Sequence, residues 1–256
     1  MGTALPFSDI DKFVAHQGEP ISGCILDTNF LIAAIYDPHP FHEDAEFLFE
    51  KFEEHKIPVH ATVTTRAEFI DIQRRIIITE VLMDMLSPDT AWRLTEAQKK
   101  ELRKHRAWLD SQPNSSELPI LPDKRIKECK EIFFLSTRSG KDGWIEICKH
   151  YLDEQLLKSW EEIVDLLGIN YIELRESDTN ELIKEKVSWK NMCKISERTC
   201  ISSSDAMILN MLNCSTLPFL VSADYDMAYA MLAEPNEKTI LVPNALYREK
   251  IRKLKI

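Results

Sequence analysis

Four acids in this sequence stand at comparable positions. Asp27 follows the apolar run Cys24-Ile25-Leu26, and Asp224 stands three residues after Phe219-Leu220-Val221. Glu68 and Asp205 fall three residues after Thr65 and Ser202, in the first turns of helical patterns. An apolar run that ends in an acid and passes into a helical pattern is how a buried parallel strand delivers a carboxylate to the carboxyl edge of a sheet. The starts of the following helices share that rim, where ligands bind at the point where strand order reverses. Four carboxylates gathered there repel one another unless cations hold them together. Such oxygen donors suit Mg²⁺ or Mn²⁺. A pair of these ions can activate a water and stabilise the leaving oxygen in phosphodiester cleavage. Each acid also has a plainer reading. Thr65-x-x-Glu68 and Ser202-x-x-Asp205 are capping-box patterns, and Asp27 and Asp224 can cap the helices they precede.

The elements that must position these residues alternate between strand and helix patterns. Met1 to Pro20 reads as a polar lead-in with a short helix at Ser8 to His16. A strand then ends at Asp27, followed by a helix from Phe30 to Ile35. Asp37-Pro38-His39-Pro40 breaks it, and a helix from near Pro40 to His55 follows. Ile57 to Val63 reads as a strand, and Thr64 and Thr65 open a helix over Arg66 to Met85. Thr90 to Ser111 is charged and helical, Gln112 to Asp123 is a loop, and Ile126 to Phe134 is helical. Ser136 to Gly143 is turn-rich. One long helix is expected over Trp144 to Leu167, ended by Gly168. Ile169 to Leu174 alternates like a strand, Glu176-Ser177-Asp178 turns, and a helix is expected over Glu181 to Met192. A helix over Ala206 to Leu212, a strand over Pro218 to Ser222, a helix over Asp226 to Leu232 and a strand over Thr239 to Val242 complete the pattern. The basic tail Tyr247 to Ile256 reads as helical. Strands alternating with helices imply a mostly parallel α/β sheet.

The composition bounds the function classes. The 256 residues are 44% hydrophobic and 29% charged, enough for a sizeable core in one domain with an insertion or in two small domains. The net charge of −10 argues against a tight, nonspecific polyanion binder, yet a nuclease that engages phosphate through a metal remains compatible with it. No apolar run is long enough to span a membrane, and Met1 to Gln17 carries no basic-then-apolar signal pattern. The six cysteines are scattered with no CxxC pair, which fits reduced thiols. A cytoplasmic protein is expected. Six glycines hold no phosphate-binding glycine pattern. A haloacid-type phosphatase would want an acid where Asn29 stands.

The four acids sit inside four motifs: Leu26-Asp27-Thr28-Asn29, Thr65-Arg66-Ala67-Glu68-Phe69, Ser204-Asp205-Ala206-Met207-Ile208 and Val221-Ser222-Ala223-Asp224-Tyr225-Asp226. Their order and spacing resemble the successive motifs of the PIN domain, over Ile21 to about Arg75 and Asn170 to Val242. The resemblance implies a 5′-nuclease-like parallel sheet with helices on both faces and a Mg²⁺ or Mn²⁺ site. It implies an endoribonuclease acting on single-stranded RNA, with Asp27, Glu68, Asp205 and Asp224 as the metal-binding acids and Asp226 as an accessory one. Thr28, Asn29, Ser222 and Arg66 would help to position water or phosphate. Many members of that family are toxins of toxin–antitoxin pairs. The chain is expected to be a single domain over 1–256, with a mostly helical insertion over 76–167. That insertion is longer than the connection in a compact toxin. It is suited to covering the site, to binding a protein partner such as an antitoxin, or to forming a homodimer face. The alternative is a catalytically idle domain that binds RNA or a protein.

The remaining clusters are weighed as structural. His39, His42, Glu43 and Asp44 read as a solvated helix end. Arg74-Arg75, Arg103-Lys104-His105-Arg106 and Lys250 to Lys255 read as solvated faces able to touch phosphates. Phe47, Phe49 and Phe52 read as core.

Overall fold

Among the described residues six short strands form one sheet in which every pair is parallel: β1 (Thr3–Pro6), β2 (Cys24–Leu26), β3 (Val59–Thr62), β4 (Asn170–Ile172), β5 (Phe219–Val221) and β6 (Thr239–Val242). Their order across the sheet is β1-β6-β5-β2-β3-β4. This computed structural model describes residues 2–18, 20–89, 92–112, 118–134, 143–173 and 179–254. Part of the expected loop Gln112 to Asp123 (113–117), nearly all of the turn-rich stretch Ser136 to Gly143, and the turn Glu176-Ser177-Asp178 lie outside the described residues.

The chain divides into two compact units, Met1–Phe69 with Ile163–Ile256, and Ile70–Glu162. The first unit holds the sheet. β2, β5 and β6 are buried at every position, as strands covered on both faces must be. Successive strand residues face opposite sides. On one side Ile25, Leu220 and Ile240 join a core with Met192 and Ile195 of α9 (Trp189–Thr199), Leu209 of α10 (Ser203–Cys214) and Met231 of α11 (Tyr225–Ala233). On the other side Phe219 meets Phe13 of α1 (Ile10–Gln17) at 5.2 Å and Phe52 of α3 (His42–His55) at 6.1 Å between ring centroids. Phe49 stacks on Phe30 of α2 (Thr28–Ile35). Phe47, expected in the core, is instead 36% exposed.

The second unit is helical, with α5 (Glu96–Asp110), α6 (Asp123–Phe134) and α7 (Gly143–Tyr151) packed with Ile78 and Leu82 of α4 (Val63–Asp84). It holds no strand among the described residues. Among the described residues no helix is long and apolar enough to cross a membrane.

Three elements depart from the sequence expectations. The lead-in contains β1, which pairs with β6 from Thr3↔Thr239 to Pro6↔Val242. Its proline is tolerated because β1 is an edge strand. The single helix expected over Trp144 to Leu167 is two, α7 and α8 (Gln155–Leu167), broken where Glu154 adopts a left-handed φ of 60°. The helix expected over Glu181 to Met192 forms later, as α9. Before it, Asn180 Oδ1 accepts from the Leu182 and Ile183 amides, Lys184 donates to the Cys214 carbonyl, and Ser188 then caps α9. These bonds hold the segment in an extended bridge to Ser215.

Gly23 enters β2 at φ 129°, and a Cβ there would lie 2.6 Å from the Pro58 carbonyl oxygen. Gly18 also has a positive φ but has open space around it. Gly23→Ala should therefore lower unfolding free energy by on the order of 2 kcal/mol or more, and Gly18→Ala by about 1 kcal/mol. Urea denaturation of the two variants checks the ranking, and equal losses would contradict it.

Candidate metal centre

The chain runs from β2 outward through β3 to β4 on one side, and from β5 to β6 on the other. Strand order therefore reverses between β2 and β5, which pair directly from Cys24↔Phe219 to Leu26↔Val221. Such a switch point leaves a crevice at the carboxyl ends of the strands, because the connections leave in opposite directions. Asp27 stands at the end of β2, and Ser222 and Asp224 at the end of β5.

Local hydrogen bonds fix each acid. Asp27 is the N-cap of α2: Oδ1 accepts from the Thr28 amide at 2.7 Å, and Oδ2 accepts from the Ser222 hydroxyl at 2.6 Å. The Ser222 oxygen in turn accepts from the Asp224 amide at 3.0 Å. Asp224 is the N-cap of α11, with Oδ1 accepting from the Asp226 amide at 2.8 Å, while Asn29 Nδ2 reaches its Oδ2 at 3.4 Å. Ser202 caps α10 by accepting from the Asp205 amide, and its hydroxyl donates to Asp205 Oδ2 at 2.7 Å.

Glu68 behaves differently from its sequence pattern. The helix starts at Val63, before Thr65, and Thr62 Oγ1 takes the Thr65 amide at 3.1 Å. The Thr65 hydroxyl turns to the Leu26 carbonyl and the Thr62 hydroxyl. The capping box expected at Thr65-x-x-Glu68 is thus not formed. Glu68 Oε2 instead accepts from the Thr28 hydroxyl at 3.0 Å, which draws it onto the rim beside Asp27.

Asp27, Glu68 and Asp205 converge: each offers a carboxylate oxygen, and the three oxygens lie within 4.8 Å of one another. Asp224 lies next to them, close enough to repel both Asp27 and Asp205. Asp226 is exposed and faces Asp224 from outside. Arg66 is set over the Tyr171 ring at 5.5 Å. Burial raises the Asp27 carboxyl well above the usual carboxylate range, and the charges of Asp205, Asp224 and Glu68 add to this against the Ser222 bond. Burial likewise pushes Asp205 up to about 6, with Glu68 and Asp224 contributing and the Ser202 bonds opposing. Burial also raises Asp224, while Lys250 counteracts.

Two other groups of acids and histidine lie as close together but already hold cations. In Asp11, Glu54 and His55, Lys51 Nζ sits 3.2 Å from Asp11 and 2.8 Å from Glu54. In Glu101, His105 and Glu128 of the helical unit, Lys104 reaches Glu101 at 2.7 Å and Arg125 approaches the His105 ring at 3.2 Å. Asp27, Glu68, Asp205 and Asp224 form no ion pair among the described residues. The helix end at His39 and His42 is structural in its bonds. The His39 ring accepts from the Phe41 amide, and Asp44 accepts from Asn244. It borders a cavity of about 840 Å³ that none of the four acids lines.

Sequence reasoning assigned no role to Tyr225, Tyr229 or Thr62. Tyr225 lies within a quoted motif, but nothing in the pattern marks a tyrosine as reactive. No family model, curated protein or solved structure matches this chain.

The raised carboxyl groups set a pH dependence. A carboxyl raised in the folded state holds its proton longer there than in the unfolded chain, so stability falls as pH rises through that window. The window opens near the ordinary value of 3.8 and extends through about 6 for Asp205, and the Asp27 carboxyl is shifted in the same direction. Asp27→Asn keeps an oxygen for the Thr28 amide and replaces one buried charge. In EDTA its thermal midpoint should equal or exceed that of the wild type, and the gap should widen from pH 5 to pH 8. Asp27→Ala removes the cap and should cost about 1–2 kcal/mol. A wild-type midpoint that rose relative to Asp27→Asn over this range would contradict the electrostatics.

Proposed function

We propose that the protein is a PIN-like, divalent-metal-dependent endoribonuclease that hydrolyses phosphodiester bonds of single-stranded RNA. The observation that carries this reading is the convergence of three carboxylate oxygens within 4.8 Å, one on a side chain only 1% exposed, without an ion pair among the described residues. Buried charges in proteins are paired or coordinate metals. The donor set fits the ion: every converging ligand is a hard carboxylate oxygen, the type that Mg²⁺ and Mn²⁺ take, and no thiol or imidazole joins them. The all-parallel sheet, its covered faces and the acids at its reversal point support the PIN-like reading, and the choice of RNA over DNA rests on that resemblance.

Asp27, Glu68 and Asp205 would hold the ion, and Asp224 would complete the acidic rim. A divalent cation bound there supplies Lewis acidity toward a phosphoryl oxygen and lowers the pKa of a water. The chain's own residues keep the carboxylates in register. The Thr28 hydroxyl orients Glu68, Ser222 orients Asp27, Ser202 orients Asp205, and Asn29 steadies Asp224. None of these side chains needs to act as the nucleophile.

Purified protein should cut a mixed single-stranded RNA pool with Mn²⁺ or Mg²⁺ and not with EDTA. Asp27→Asn and Asp205→Asn should each lower the rate by on the order of 100-fold or more. Mn²⁺ should raise the thermal midpoint of the wild type, more at pH 8 than at pH 5 because protons compete for the same oxygens, and should not raise that of Asp27→Asn. Cutting that persisted in both variants would assign the activity to a contaminant. A wild type that neither cut RNA nor gained stability from Mn²⁺ would point to the idle binding domain.

A further inference from the structure

We propose that Tyr225, Tyr229 and Lys250 form a stacking platform that seats single-stranded RNA beside the acids, an inference that rests on the nuclease reading above. Tyr225 is the first residue of α11, directly after Asp224, and Tyr229 follows one turn later. The two rings lie 6.5 Å apart between centroids and are tilted by 31°. Tyr229 is 38% exposed, unusual for a large side chain on a helix whose Met227, Ala228, Ala230 and Met231 are fully buried. Lys250 Nζ stands 5.5 Å from the Tyr225 ring centroid, and Tyr225 directly follows Asp224.

The charge around this pair also fits a polyanion. Arg248, Lys250, Arg252 and Lys253 are all exposed, with Glu249 as the one acid in that stretch. Among the described residues none of these four cations forms an ion pair. In a chain of net charge −10, exposed cations without ion pairs, one of them over the Tyr225 ring, supply phosphate contacts that the acids cannot. The exposed Tyr229 ring next to such cations suits an unstacked base, because every base has a π-face. A duplex keeps its bases stacked on one another and offers no such face. The pairing therefore selects a single strand.

The test is fluorescence-anisotropy binding of a short labelled oligoribonucleotide over a range of salt. Ca²⁺ is present to balance the acids. Tyr229→Ala should weaken binding by roughly 5- to 100-fold without changing the salt slope. Lys250→Ala should weaken binding and lower the slope of log affinity against log salt by about 0.7. Tyr225→Phe, which keeps the ring, should bind like the wild type, and the duplex form of the same sequence should bind less tightly. Unchanged affinity in Tyr229→Ala and Lys250→Ala, or no binding by the wild type, overturns the platform. Mn²⁺-dependent cutting with unchanged affinities would remove the platform and leave the nuclease. Affinities that fall as expected in a protein that never cuts would remove the nuclease and leave the platform as a binding surface.

Discussion

The mutual repulsion of carboxylates at the reversal point between β2 and β5 is the constraint on which the rest of the site depends. Two like charges about 4 Å apart repel by roughly 4 kcal/mol at an effective dielectric near 20, and three oxygens here fall within 4.8 Å of one another. Burial of Asp27 adds a desolvation cost. The chain opposes these terms with a few donors, the Thr28 amide and hydroxyl, the Ser222 hydroxyl and the Ser202 hydroxyl. These fix orientation but carry no net charge. The balance is met by raised carboxyl pKa values without metal, and on our reading by a cation when one is bound.

The helix-capping reading and the metal reading of the acids are not rivals at three of the four positions. Asp27 and Asp224 cap α2 and α11, and Ser202 caps α10 while bonding Asp205. A cap uses one lone-pair direction of a carboxylate and leaves the others for the crevice. Capping explains why an acid suits each position, but not why the caps meet. The convergence comes from β2 and β5 ending side by side and from α4 and α10 bringing Glu68 and Asp205 to the same rim. Glu68 is the discriminating case, since its cap role is taken by Thr62 and its carboxylate turns to Thr28 instead. The paired clusters at Lys51 and Lys104 show the usual solution for nearby acids, a lysine between them. The rim of the sheet departs from that solution.

The same rim also organises what lies around the acids. α11 begins directly after its N-cap Asp224, so its first turn starts at the site itself. The chain's return along β6 into α12 (Asn244–Glu249) brings Lys250 back over Tyr225. Acids and cations far apart in sequence thereby come to face one another. A whole-chain charge of −10 hides this separation, because net charge sums over surfaces that never meet the same ligand.

Much of the sheet was legible in the sequence because buried parallel strands are short apolar runs, and β2, β5 and β6 are of that kind. β1 was not, since Thr3-Ala4-Leu5-Pro6 has neither length nor alternation and becomes a strand only by pairing with β6. The extended stretch before α9 escaped for the same reason, since its backbone bonds run to the distant Cys214 carbonyl, while the break between α7 and α8 falls at Glu154, a residue type that does not mark a left-handed φ. The spacing of Asp27, Glu68, Asp205 and Asp224 by itself determined which carboxylates could share a rim, because each is tied to a strand end or a helix start. Only the tertiary structure decided that Asp27, Glu68 and Asp205 meet within 4.8 Å without a balancing lysine among the described residues, and that Lys250 lies over Tyr225. Those outcomes depend on strand order and on which side chains fill the space between elements, and neither is encoded in local pattern.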